Sequence, residues 1–190
     1  LRSGKRILEL HRLLTEDTMD DPADAGKLRV SDDVRVEDHR DGTVLHQPPP
    51  AKELPARLAR LCRFANGDEK DGPFVHPVIR AILIHFMIGY DHPFVDGNGR
   101  TARALFYWSM ARQGYWLMEF LSISHILRKA PAQYVRAHMH TETDDNDTTY
   151  FLIHQLEVIR KAIDALHDYL ERTVREQRET GRLLASSPRL

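Results

Sequence analysis

The sequence predicts an all-α domain carrying one small β-hairpin. Three observations predict it. Apolar residues recur at helical spacing through most of the chain, most clearly at 77–90, where Ile79, Ile82, Leu83, Phe86 and Tyr90 fall on one stripe. Strand-like alternation occurs in one place, where Val34 and Val36 flank Arg35 and Val44 resumes the pattern beyond Asp41-Gly42. No internal repeat or linker divides the 190 residues, which therefore read as one domain, with a core at about 5–170 and a helical tail at about 171–190.

Residues 5–14, "KRILELHRLL", carry Ile7, Leu10 and Leu14 at helical spacing, and "DTMDDPADAGK" after them reads as a loop rich in Asp, Pro and Gly. The hairpin is expected at about 34–46, closed by "QPPP", a stiff connector that ends a strand. Helical spacing returns at 52–65 through Leu54, Leu58, Leu61 and Ala65. After the core helix at 77–90 comes a glycine-containing loop, then a second stripe of Leu105, Phe106, Ser109 and Met110. "SISHILRK" suits a short helix with a Ser cap, and "PAQYVRAHMH" one with Pro at its first position. The last element is long: Leu152, Leu156, Ile159, Ile163, Leu166 and Leu170 are spaced 4, 3, 4, 3, 4, a continuous seam. Asp147 or Thr148 is expected to cap it, and the polar stretch from about 175 to fray or to run toward a neighbour.

Composition narrows the function classes. With 27 basic and 28 acidic side chains, no general attraction to nucleic acid or an anionic membrane is expected. The longest apolar run, "AILIHFMIGY", is too short to span a bilayer. No signal-peptide pattern opens the sequence, and Cys62 has no intrachain partner, so a reducing, cytoplasmic setting is expected. The first residue is Leu1 rather than Met, as expected of a piece of a longer protein.

The chemistry concentrates in "HPFVDGNGRTAR", residues 92–103. Asp96-Gly97 and Asn98-Gly99 are hairpin dipeptides, but a helical stripe precedes them and "RTARALFYW" follows, so the flanking strands are lacking. "GNGRTA" also fits a dinucleotide pattern, with Glu119 twenty residues after Gly99; that pattern must follow directly on a strand, and here the preceding run is helical and Pro93 intervenes. A third reading uses every polar group. If a helix starts near Asn98, the backbone N–H groups of Gly97, Asn98 and Gly99 form an anion site at its N-terminus. Arg100 and Arg103, three apart, share a face there and can hold further phosphates. Asp96 beside phosphates is the ordinary way to hold Mg²⁺. His92 has the pKa range to take a proton from a hydroxyl. Polyphosphate, metal and base in one loop imply transfer of a phosphorus-centred group to a hydroxyl.

The twelve residues resemble the Fic motif, H-x-F-x-(D/E)-G-N-G-R-x-x-R, at every defined position. The hairpin with "HQPPPAKELPARLARL" resembles the flap and first core helix of that family, and "HPVIRAILIHFMIGYDHPF" the helix leading into the motif; the likeness covers roughly 5–170. It implies a Fic-type helical domain that transfers AMP from ATP to a Ser, Thr or Tyr hydroxyl of a target protein and releases pyrophosphate. By that resemblance His92 is the general base, and Asp96 holds Mg²⁺. Gly97, Asn98 and Gly99 line the anion hole, Arg100 binds phosphates, Arg103 the γ-phosphate, and Phe94 anchors the loop. The flap near Val36 to Val44 would align a target segment by strand addition. Retention of Gly97 and Gly99 favours AMP transfer over a related phosphoryl transfer. The intact His92 and Asp96 weigh against a catalytically silent nucleotide-binding module. The family's inhibitory segment, (S/T)-x-x-x-E-(G/N), does not occur in the chain. The expectation is that it lies outside this chain or is supplied by an antitoxin-like partner. A homodimer is open. Without that Glu, removal of AMP from modified proteins is the less expected reaction.

Other candidates have duller readings. His138 and His140 in "HMH" are two apart on a helix, which is poor chelating geometry, and packing or surface roles are expected. His85 reads as a satisfied buried histidine. "TETDDNDTTYF" begins like a calcium loop, but Tyr150 stands where that loop needs Gly. Tyr134 and Tyr150 are candidates for stacking on a base, with core packing the simpler role, and Trp108 and Trp116 read as core or helix-surface residues.

Overall fold

In the computed structural model, residues 1, 3–37, 41–68 and 72–186 are described. Among them the chain forms seven helices and one two-stranded antiparallel hairpin, so the all-α expectation holds. The helices are α1 (Gly4–Thr15), α2 (Leu54–Asn66), α3 (Pro77–Asp91), α4 (Asn98–Arg112), α5 (Ile123–Lys129), α6 (Pro131–Thr143) and α7 (Thr149–Ser186). The strands are β1 (Val36–Glu37) and β2 (Val44–His46).

Helix α3 is the centre. Its buried residues, Ala81, Ile82, Ile84, His85, Phe86, Ile88 and Asp91, cover more than half of its circumference, and the remaining strip through Ile79, Leu83, Met87 and Tyr90 is half-buried, so of the predicted stripe Ile82 and Phe86 lie deepest. Pro77 opens it, the His76 side chain accepts from the Val78 N–H, and α4 returns against it as its main partner. This pair divides the interior into two cores. On one side Ile82 and Phe86 of α3 and Phe106 and Met110 of α4 pack with Ile123, Ala137, Phe151, Val158 and Ala162 from α5, α6 and α7. On the other, Ile84 and Ile88 of α3 and Ala102 and Leu105 of α4 pack with Ile7, Leu58, Leu61 and Ala65 from α1 and α2. Helix α2 ends as its sequence demands: Gly67 takes φ +73° and the N–H groups of Gly67 and Asp68 return to Phe64 and Arg63 carbonyls.

Several expectations change in detail. The buried face of α1 is Ile7, His11 and Thr15, not the stripe through Leu10 and Leu14; His11 makes this possible because both its ring nitrogens are hydrogen-bonded. The face of α7 that enters the core is Phe151, Gln155, Val158 and Ala162, one residue out of phase with the leucine seam, of which Leu156, Ile163 and Leu170 are exposed. Its polar C-terminal part remains helical to Ser186 rather than fraying. The cap of α7 is the Asp147 carboxylate, which accepts from Thr149 N–H at 2.9 Å, whereas the Ser122 side chain makes no capping bond to α5. The strands are shorter than the 34–46 expected, and their pairing is irregular between Val36 and Glu37. Part of the hairpin's connection, 38–40, lies outside the described residues.

Candidate active site

Helix α3 stops at His92, which takes a left-handed conformation (φ +42°, ψ +58°) while its N–H still bonds the Ile88 carbonyl. That conformation is uncommon without glycine, so something must hold it. The holder is Arg29, which the sequence pattern did not mark. Its guanidinium is buried; Nε donates to the His92 carbonyl at 2.9 Å, Nη1 to the Ser31 carbonyl at 2.8 Å, and Nη2 to the Pro49 carbonyl. The Arg29 N–H also donates to the Pro93 carbonyl at 2.9 Å. One side chain thus ties the loop after α3 to the proline run behind the flap.

The His92 ring has one fixed nitrogen. Nδ1 lies 3.2 Å from the Gly89 carbonyl, which can only accept, so Nδ1 carries the proton and Nε2 the lone pair. Burial lowers the His92 pKa below its ordinary value, the Gly89 carbonyl opposes that, and the charges of His46 and Arg29 add to the lowering. A neutral imidazole with a free Nε2 is the form a general base needs.

The rest of the loop is braced from inside. Phe94 is fully buried and stacked on His11, with ring centroids 3.7 Å apart and planes 9° apart. The Gly26 N–H donates to His11 Nδ1, so His11 is neutral with its proton on Nε2, which donates to the Asp96 carbonyl at 2.9 Å. Burial leads in lowering its pKa, in keeping with that form. Asn98 closes the loop: Phe94 N–H donates to its Oδ1 at 2.9 Å, and its Nδ2 donates to the Phe94 carbonyl at 2.8 Å. Gly97 stands at φ +80°, and a Cβ there would lie 2.5 Å from Thr15 Cγ2 and 2.9 Å from His11 Nε2. Only glycine satisfies both the dihedral and the space. Its carbonyl accepts from both the N–H and the hydroxyl of Thr101, each at 3.0 Å, which starts α4 at Asn98 as expected.

His92, Asn98 and Gly99 line one cavity of about 160 Å³, together with Val36, Leu45 and His46 of the hairpin and Tyr134 and His138 of α6. The cavity therefore lies beneath the flap and beside the first turn of α4, where free N–H groups favour an anion. Arg103, half-buried on the second turn of α4, donates to no protein group among the described residues; its Nη1 would lie 3.1 Å from a Cβ placed on Gly99. Arg100 is engaged otherwise. It donates to Asp96 Oδ2 at 2.8 Å, to the Leu14 carbonyl at 3.2 Å and to the Thr18 hydroxyl. The two carriers expected for metal and phosphate thus hold each other here.

The remaining candidates are placed as follows. His85 donates or accepts at the Tyr134 hydroxyl, 3.0 Å away, and burial pushes its pKa down to about 3. His138 is stacked on Phe86, centroids 5.3 Å apart, and is likewise pushed down to about 3 by burial. Tyr134 packs among His85, His138 and Phe151, and also faces the cavity. His140 and Tyr150 lie at the surface, away from the cavity lining, and Trp116 is exposed while Trp108 packs against the core of α1 and α2. Among the described residues no three His, Cys, Asp or Glu side chains gather as a metal cage. Asp96, its carboxylate 65% exposed, fits a divalent ion only as a single ligand sharing it with phosphate oxygens, which is how Mg²⁺ is commonly held. No described helix is long and apolar enough to cross a membrane.

The Fic/DOC family model matches residues 3–110. The chain is 37% identical over 111 residues to the "protein adenylyltransferase Fic" of Drosophila melanogaster and 35% identical to that of Drosophila grimshawi. Each match covers 58% of this chain and 20% of the relative, so the chain spans about a fifth of the length of these curated relatives. Among solved structures, a Fic family protein from Desulfovibrio desulfuricans G20 superposes with a TM-score of 0.70 at 25% identity, over 88% of this chain and 48% of that one. Fic-1 from C. elegans superposes with a TM-score of 0.60 at 25% identity, over 88% and 44%. The family match takes in α1 through most of α4, the loop and every residue that braces it, and on that ground the chain belongs to the Fic/DOC family.

Proposed function

We propose that the domain transfers AMP from ATP to a hydroxyl group of a target protein. The observation that carries this reading is His92 with Nδ1 committed to the Gly89 carbonyl, on the wall of a cavity shared with Asn98 and Gly99 of the α4 N-terminus. In the reaction the target hydroxyl oxygen bonds to the α-phosphorus, and the bond from that phosphorus to the bridging oxygen breaks. Pyrophosphate leaves, and the hydroxyl proton passes to His92 Nε2. The α4 N-terminus and Arg103 bind the phosphates. Arg100 must exchange part of its bonding to Asp96 and α1 before it joins them, and the same exchange frees Asp96 to share Mg²⁺. When bound, that ion would neutralise phosphate charge. In this reading an extended segment of the target adds to an edge of the two-stranded hairpin, whose Val36 and Leu45 line the cavity. A cytoplasmic setting fits the lone thiol of Cys62.

The experiment is parallel incubation of the purified chain with α-³²P-ATP and γ-³²P-ATP, with and without His92→Ala. Label from the α position alone, lost in the variant by about 10²–10⁴-fold, is the expected result. Label from the γ position makes the protein a kinase, and a variant of near-normal activity removes His92 from the reaction.

A further inference from the structure

A second histidine on the cavity wall has no part in the chemistry above. His46 ends β2 and is 8% exposed. Both its ring nitrogens meet acceptors: Nδ1 is 2.7 Å from Glu142 Oε2, and Nε2 is 2.6 Å from the Tyr90 carbonyl. A neutral imidazole has one N–H and satisfies one acceptor; the imidazolium satisfies both. The three groups lie on three elements. His46 is on the flap strand, Tyr90 is on the last turn of α3 two residues before His92, and Glu142 is on the last turn of α6. The negative end of the α3 dipole adds to the attraction for a cation there. Two paired strands of two and three residues have little stability of their own, so the position of the flap depends on what ties it down.

We propose that His46 is a positioning residue: as an imidazolium it latches the flap strand to α3 and α6, fixing the roof of the His92 cavity, and loss of its proton releases the flap. The groups facing it are Glu142 and His138 of α6, and Asp91, Tyr90 and His92 at the end of α3. Asp91 is paired with Arg57 of α2 at 3.0 Å. Burial opposes the charge on His46, but the Glu142 carboxylate and the Tyr90 carbonyl outweigh it, with Asp91 adding a smaller pull, and the pKa rises above 6.5. The same charge contributes to lowering His92. Two acceptors at His46 favour its imidazolium while burial favours the neutral ring of His92, two histidines biased in opposite directions on one wall. Each unit by which latching raises the His46 pKa is a tenfold preference of the charged form for the latched flap.

The latch itself does not depend on the proposed reaction; only its kinetic consequence rests on that reading. The test is imidazole ¹H–¹⁵N NMR on the labelled chain from pH 5.5 to 9, with amide exchange across Val44–His46 over the same range. His46 should be protonated on both nitrogens at pH 7 and titrate above 6.5, and exchange, corrected for its intrinsic pH dependence, should rise about tenfold through that titration. Glu142→Gln, which keeps the side-chain size but removes the charge, should lower the His46 pKa and give the faster exchange at pH 7. Urea unfolding of the variant identifies any global loss. A His46 with one bare nitrogen at pH 7, or exchange indifferent to its titration, overturns the latch. In the ATP-labelling assay, His46→Gln should raise KM for the target more than it lowers kcat. A wild type that transfers no label while the NMR result stands would overturn the reading of His92 and leave the latch intact.

Discussion

Arg29 and His92 are 63 residues apart in sequence, yet the guanidinium of one donates at 2.9 Å to the backbone carbonyl of the other. The bond matters because His92 sits in a left-handed conformation that costs about 1–3 kcal/mol for a residue with a side chain. Arg29 offsets that cost and sets the direction in which α3 hands over to the loop. Arg29→Ala strands the carbonyls of Ser31, Pro49 and His92, and should cost about 2–3 kcal/mol in urea unfolding. Arg29→Lys keeps the charge but lacks a planar fork, and should recover only part of the loss. Full stability in either variant would show that the αL turn holds itself.

The two motif glycines should separate cleanly. Gly97→Ala meets both a positive φ and a Cβ contact of 2.5 Å with Thr15, and should lower stability by about 3 kcal/mol. Gly99→Ala meets only the far end of Arg103, at 3.1 Å. Its melting temperature should match wild type within a few degrees while ATP affinity, measured by calorimetry, falls.

The two arginines should separate as well. Arg103 has no protein partner among the described residues, so Arg103→Ala should change stability by less than about 0.5 kcal/mol and weaken ATP binding. Arg100→Ala releases the Asp96 carboxylate and its contacts to α1, and should lower thermal stability measurably even without nucleotide.

Acid should destabilise the fold. His85 and His138 are neutral inside, pushed to about 3, and return to about 6.5 when the chain unfolds. Below pH 6.5 the unfolded chain therefore takes up protons that the folded one refuses. The contribution of these two groups to stability is complete above 6.5 and falls as the pH drops toward 3, by up to about 1.4 kcal/mol per pH unit for each group. His46 has the opposite sign, since its raised pKa contributes stability below 6.5 that is lost as the pH rises through its folded value. Urea midpoints at pH 5 and pH 7 should differ in the stated direction; equal midpoints would contradict the burial of both rings as neutral groups.

The loop at residues 92–97 was legible because its polar groups and glycines stand in consecutive residues. The glycines alone fitted a hairpin or a dinucleotide turn as well, but the helical runs on both sides decided between them, and α4 starts at Asn98 as that reading implied. What braces the loop was not legible. His11, Arg29 and His46 are polar side chains that pattern reading assigns to solvent, and they are buried only because distant carbonyls and a carboxylate complete their hydrogen bonds. The phase of α7 was misread for a related reason: Gln155 and Ala162 carry part of its inner face and weigh little in an apolar count, while Ile163 and Leu170, which weigh much, face outward. A signal for His11 existed in its place four residues after Ile7 and four before Thr15.

The segment from His92 to Gly97 lies at the seam between the two interiors. Phe94 belongs to the packing of α1 and α2, while the His92 cavity is walled by α6 from the opposite side. Such a keystone has no private way to loosen: opening it strips a fully enclosed aromatic ring from one half and takes a wall from the cavity in the other. The amide protons of Phe94, bonded to Asn98 Oδ1, and of Thr101, bonded to the Gly97 carbonyl, should therefore exchange only when the whole molecule unfolds, whereas the hairpin, tied down through His46, can open without disturbing that packing.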